Sequence, residues 1–241
     1  MSTEWRNANM SKVVEQIENT LMGLKEHGVL ENEIIKRYEK KILSLKNAEL
    51  SYVFAKNVKG ADVKAHGKVV IESKDSEWNY KFAKDVKGAD VKAHEKVVLE
   101  NKSPKWNYNF ARNVKGADVK AHEKVVIESK NAMYSCFFAI NIEGTDTKAF
   151  EKVVLESKEP EWNYMFAKDV KGADIKAHGQ VIIESKDSTC NNWFKEAFED
   201  EYKIIKRDYL IKDTYNFIDD ALDEMIKENK LEIYVKEVLR R

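Results

Sequence analysis

Four of the five histidines, His66, His94, His122 and His178, fall at one place in a 28-residue beat that runs through the chain. Histidine ligates zinc and moves protons near neutral pH, so a row of them is first a candidate ladder of metal or catalytic sites. The spacing argues against it. Neighbouring helices pack roughly 8–10 Å apart, whereas Zn–N bonds of about 2.0–2.1 Å need ligands that nearly touch. The fourth repeat also puts Phe150 in this slot, which suits a packed ring and not a ligand. The row is expected to be packing histidine, with no metal and no cofactor.

Two rows of lysine share the beat. Lys64, Lys92, Lys120, Lys148 and Lys176 form one, and Lys68, Lys96, Lys124 and Lys152 lie four residues further on. Positions i and i+4 of a helix share a face, so the rows make one basic stripe that would track nucleic-acid phosphates. A glutamate follows the second lysine by four residues (Glu72, Glu100, Glu128, Glu156) and dilutes that field. Catalytic signatures are missing: no phosphate loop, CxxC, HExxH or nucleophile elbow occurs. All repeats keep one length, so no loop grows out to build a pocket. No catalytic residue, no enzyme and no small-molecule substrate is expected.

The elements that place these residues are set by five glycines, Gly60, Gly88, Gly116, Gly144 and Gly172. A fixed period of this size marks a solenoid, in which each repeat buries its apolar face against its neighbours. The repeats are 47–74, 75–102, 103–130, 131–158 and 159–186. The only prolines, Pro104 and Pro160, sit at the second position, where a helix tolerates them in its first turn. The preceding slot, Asn47, Asp75, Ser103, Asn131 or Glu159, is then the N-cap. Trp78, Phe82 and Val86 give the first helix an apolar stripe, and the glycine is expected to end it as a left-handed C′ residue. Trp is therefore assigned to the core, while Tyr80 and Tyr108 flank the stripe with wet hydroxyls. Asp90 and its equivalents cap a second helix through Val91, Val97 and Val98.

Residues 1–46 are expected to form a helical N-terminal cap, in which Ile35, Tyr38, Ile42 and Leu43 occupy core slots. Residues 187–241 form a helical C-terminal cap that is acidic, with 10 basic and 14 acidic side chains. The expected fold is all-α, a right-handed α-solenoid of five 28-residue helix-turn-helix repeats between these caps. The phrase FAKDVKGADVKAHEKVV (residues 82–98), repeated without gaps, resembles the short tandem units of uncharacterised bacterial and phage repeat proteins. The architecture is similar to HEAT-type α-solenoids, with a shorter repeat. That resemblance implies scaffolding or macromolecular binding and brings no catalytic residues. Lys+Arg and Asp+Glu both number 42, so no global charge steers the chain to nucleic acid or lipid. Cys136 and Cys190 stand in aromatic slots and make no disulfide framework, and no apolar run reaches membrane length. A cytoplasmic protein without membrane contact is expected.

The fourth repeat departs from the pattern. Met133, Phe137 and Ile140 replace the outward Glu77, Lys81 and Lys84 of the second repeat, and the Phe137 slot becomes Met165 and then Trp193 in the following repeats. An apolar row on a charged face marks an interface, which makes a protein partner the leading expectation. The competing reading is internal, with the C-terminal helices folded over it. The phage resemblance would make such a protein an inhibitor of a bacterial defence complex. Nucleic-acid binding along the lysine rows is the alternative, and a homo-oligomeric scaffold, in its simplest form a homodimer, is a third. Gly67 and Gly179 are a smaller departure, standing mid-helix where the middle repeats have Glu95, Glu123 and Glu151. They read as close approach of a cap helix or partner, or as drift.

Overall fold

A computed structural model of the chain describes residues 32–227, with Asn19 and Gly23 as isolated helical positions before them. The N-terminal cap is thus described from Asn32 onward, and residues 228–241 of the C-terminal cap lie outside the described residues. Thirteen helices make up 79% of the described residues, and no strand occurs among them. Two compact units divide the chain at Thr145 and Asp146. The first holds α1 (Asn32–Ser44), α2 (Ala48–Asn57), α3 (Val63–Glu72), α4 (Ser76–Asp85), α5 (Val91–Asn101), α6 (Pro104–Asn113), α7 (Val119–Glu128) and α8 (Ala132–Asn141). The second holds α9 (Thr147–Ser157), α10 (Pro160–Asp169), α11 (Ile175–Ser185), α12 (Ser188–Ala197) and α13 (Glu199–Lys227). From α2 onward, even-numbered helices open each repeat and odd-numbered ones close it. Within each compact unit, an opening helix packs on its closing helix and on the opening helix of the next repeat, as in an α-solenoid.

Opening helices start as their caps dictate where the cap is Asn or Asp. The Asn47, Asp75 and Asn131 side chains accept from Leu50, Trp78 and Tyr134 backbone N–H groups at 2.9, 3.2 and 3.0 Å. Ser103, expected to cap, makes no such bond, and neither does Glu159. In those two repeats Pro104 and Pro160 preset the first helical φ instead. Closing helices are uniform, with Asp62, Asp90, Asp118, Asp146 and Asp174 each accepting from the N–H three residues on.

The glycines do a different job from the one expected. The helix α4 ends at Asp85 and Val86 is already extended, so Gly88 is not its C′ residue. Ala89 N–H donates to Val86 O at 3.2 Å around a tight turn in which Gly88 holds φ +86°. That is glycine's place at the third position of a type II turn. The left-handed C′ role belongs to the closing helices, and lysine fills it. Lys46, Lys74, Lys102, Lys130, Lys158 and Lys186 all have φ between 48° and 59°. A left-handed conformation costs a non-glycine residue roughly 1 kcal/mol or more. Lys102→Gly is accordingly expected to stabilise the protein by about 1 kcal/mol, read as a higher Tm.

In each unit the core is built from phenylalanines of the opening helices (Phe54, Phe82, Phe110 and Phe138 in the first, Phe166 and Phe194 in the second) with Val70, Val98 and Val126, or Val154 and Ile182, from the closing ones, all at most 1% exposed. The tyrosine assignment reverses, and the tryptophans pack against the core without entering it fully. Tyr52, Tyr80 and Tyr108 are buried and their hydroxyls are bonded, whereas Trp78 and Trp106 are only half-buried. Each tyrosine finds a polar partner, and for Tyr52 and Tyr80 it is one that a helix-by-helix reading cannot see. Tyr52 donates to Asp85 Oδ2 at 2.6 Å and Tyr80 accepts from Asn113 Nδ2 at 3.0 Å, both one repeat further on. Tyr108 accepts from Arg112 at 2.8 Å. The tryptophans then lie over the tyrosines from outside, at 5.7 Å for both Tyr52–Trp78 and Tyr80–Trp106. Tyr38, placed in the core from sequence, is 49% exposed, because no opening helix precedes α1 among the described residues.

Candidate functional site

The histidine row is interior. His66, His94, His122 and His178 are fully buried, with ring centroids 4.7–5.1 Å from Phe54, Phe82, Phe110 and Phe166. Three are held by asparagine. The Asn107 amide donates to Val98 O and Ser103 O, so its Oδ1 accepts from His122 Nδ1 at 2.7 Å, which sets the ring tautomer. Asn79 and Asn163 hold His94 and His178 in the same way. Repeat 4 loses both members together, with Ser135 and Phe150 in those slots. Burial lowers all four imidazoles from their ordinary value, that of His94 to about 4. Among the described residues no three His, Cys, Asp or Glu side chains gather as metal ligands.

A residue that the sequence reading passed over joins the repeats. Glu95, only 4% exposed, accepts from the Asp118 backbone N–H at 2.5 Å and from Lys92 Nζ at 2.7 Å. Its Oε1 also lies 3.4 Å from His122 Nε2. Glu151 does the same with Asp174, Lys148 and His178, and Glu39 bonds Asp62 and faces His66. A carboxylate is thus buried at the joint between successive repeats, where backbone, ammonium and imidazole groups surround it. The signal was a glutamate three residues after Lys92, Lys120 and Lys148, interrupting the apolar arc of the closing helix.

This joint decides the state of the lysine rows. Lys92, Lys120 and Lys148 each sit 2.7 Å from a buried glutamate. The carboxylate contact raises the Lys92 and Lys148 pKa values. Lys68, Lys96, Lys124 and Lys152 lie 3.8–3.9 Å from Glu72, Glu100, Glu128 and Glu156. Lys64 and Lys176 stand in the two repeats whose glutamate slot holds glycine. Seven of the nine row lysines therefore face a glutamate, and the rows are not a run of bare cations.

The apolar positions of repeat 4 belong to a concerted change. In α4, Lys81 pairs with Glu77 at 2.6 Å and lies 4.1 Å over the Trp78 ring, while Lys84 lies 5.5 Å over Tyr80. In α8, Met133, Phe137 and Ile140 stand for the three ions, and Tyr134 and Cys136 for the two rings. Phe137 takes the place of the cation and packs 5.9 Å from Tyr108 and edge-on to Tyr134 at 6.1 Å. Met133, Phe137 and Ile140 remain half-buried, a partly open apolar face on the first compact unit. In the second unit, Met165 is half-buried and Trp193, 43% exposed, lies 5.6 Å from Tyr164. There the C-terminal helix α13 packs on α11 and α12.

Comparison with models of known families, with curated proteins and with solved structures finds no match. Among the described residues no helix is long and apolar enough to cross a membrane.

Proposed function

We propose that this chain is a non-enzymatic α-solenoid that binds another protein in the cytoplasm, with the α8 face of the first unit as its contact. One observation carries this reading. Where every other repeat sets at least one cation over its aromatic rings (Lys56, Lys81, Lys84, Lys105, Arg112 or Lys168), repeat 4 presents Met133, Phe137 and Ile140, half-exposed. Met and aromatic side chains are enriched at interface cores, and a face that loses its ions in concert is suited to being covered. The nucleic-acid reading is weaker, because the lysines that would carry it are engaged by glutamates in their own helices. An inhibitor of a bacterial defence complex is the form that the phage-type resemblance implies, and its partner would then be a subunit of that complex.

The test restores the repeat pattern. Met133→Glu, Phe137→Lys and Ile140→Lys together give α8 the ions of α4, so the fold is expected to keep its Tm. A protein captured from host extract by the parent chain and lost by this triple variant supports the proposal. A protein captured equally by both overturns it.

A further inference from the structure

The helix α13 is apolar on two opposite faces. On one, Tyr202, Ile205 and Tyr209 pack with Ile182, Ile183 and Phe194 in the core of the second unit. On the other, Ile211, Tyr215, Ile218 and Leu222 are 49, 65, 45 and 41% exposed. Their spacings of four, three and four residues are those of alternating d and a positions in a heptad. Leu210 lines a shallow groove beside the strip with Ile211, Thr214, Tyr215 and Ile218, and is exposed as well. An apolar face of this extent on an otherwise charged helix is a binding surface.

We propose that a second copy of the chain covers this face, the two α13 helices lying antiparallel about a two-fold axis. The charges beside the strip select that arrangement. With Ile211 and Ile218 at d and Tyr215 and Leu222 at a, Lys212 and Asp219 take the flanking e positions. In an antiparallel pair a faces d and e faces e. Setting Tyr215 against Ile218 of the second copy brings Lys212 beside Asp219 of that copy, and the two-fold axis repeats the contact. Both side chains are exposed and available for it. A parallel pair would instead stack Asp208 on Asp208 at an a position and set Arg207 at g beside Lys212 at e, placing like charges together twice. The antiparallel surface is self-complementary and closes at two copies. It involves no residue of the α8 face, so it stands or falls independently of the partner proposed above.

The full-length chain is examined by light scattering over a range of concentrations. A concentration-dependent dimer is expected. Lys212→Glu and Asp219→Lys each turn two attractive contacts into repulsive ones and are expected to weaken the dimer on the order of tenfold. An equimolar mixture of the two single variants restores opposite charges at both contacts, so it is expected to dimerise where neither variant does alone. Both positions are exposed, and unchanged helical circular dichroism confirms that the fold is retained. A monomer at every concentration overturns the proposal, including the case in which residues 228–241 of the same chain cover the strip. A dimer indifferent to both charge changes, or one lost in the α8 triple variant, overturns it too.

Discussion

Gly179→Ala should unseat the C-terminal helix, whereas the same change at Gly67 should stabilise the repeats. Both glycines interrupt a closing helix, and replacing a mid-helix glycine by alanine is worth about 1 kcal/mol in helix propensity alone. The surroundings decide the sign. A Cβ on Gly67 would meet His94 Nε2 and Phe82 Cε1 at 3.4 Å, a tight contact that small side-chain shifts absorb. A Cβ on Gly179 would collide with the Phe194 ring and stand 2.6 Å from Ile205 Cδ1. Ile205 belongs to α13, so Gly179 is where the C-terminal helix comes closest to the last full repeat. Overpacking of a well-filled core costs roughly 1–3 kcal/mol, which outweighs the propensity gain. Gly179→Ala is expected to lower Tm by several degrees and Gly67→Ala to raise it, at about 2–4 °C per kcal/mol for a chain of this size. If both raise Tm alike, α13 is not seated on Gly179.

Of the two readings the sequence allows for these glycines, close approach thus fits Gly179. It was legible there because a helix-breaking residue stood where other repeats have glutamate. The helices were legible for a similar reason. Each cap, stripe and turn recurs through the repeats, so a single ambiguous position is read several times over. What escaped depends on neighbours in space. Tyr80 and Trp78 are two residues apart at the edge of one stripe, and the group that satisfies the buried Tyr80 hydroxyl is Asn113, a repeat away. Glu95 reads as a surface residue until the Asp118 backbone and His122 are brought over it. In α13 the two apolar faces lie opposite one another, so the periodicity that betrays a one-sided helix is blurred. The repeat 4 face was visible because it breaks the pattern, but not that Phe137 would replace the cation over its neighbouring rings.

Acidification from pH 7 to 4 is expected to cost this fold more at His94 than at the other three buried histidines. The other three rings present Nε2 to a carboxylate at the joint, Glu39 for His66, Glu95 for His122 and Glu151 for His178, so a proton arriving there finds an acceptor. The joint before His94 carries Gly67 instead, and His94 Nε2 is buried with no hydrogen-bond partner. Burial pushes this imidazole from 6.5 down to about 4, opposed only by the nearby Asp90 charge. In the unfolded chain the ring regains its ordinary value and binds a proton that the folded state refuses. The stabilisation from a neutral His94 is therefore complete above pH 6.5 and is lost as pH falls towards 4, an amount of about 3 kcal/mol. His94→Phe with Asn79→Ser copies the Phe150 and Ser135 pair that repeat 4 already buries. Urea unfolding at pH 7 and pH 4 then gives a direct comparison, since every other titrating group is common to both chains. The double variant is expected to lose about 3 kcal/mol less between the two pH values than the parent. Equal losses would mean that His94 takes up its proton without leaving the fold. Gly67→Glu approaches the same joint from the other side. By supplying the carboxylate found at the other joints, it should raise the His94 pKa and flatten the acid slope while the histidine stays in place.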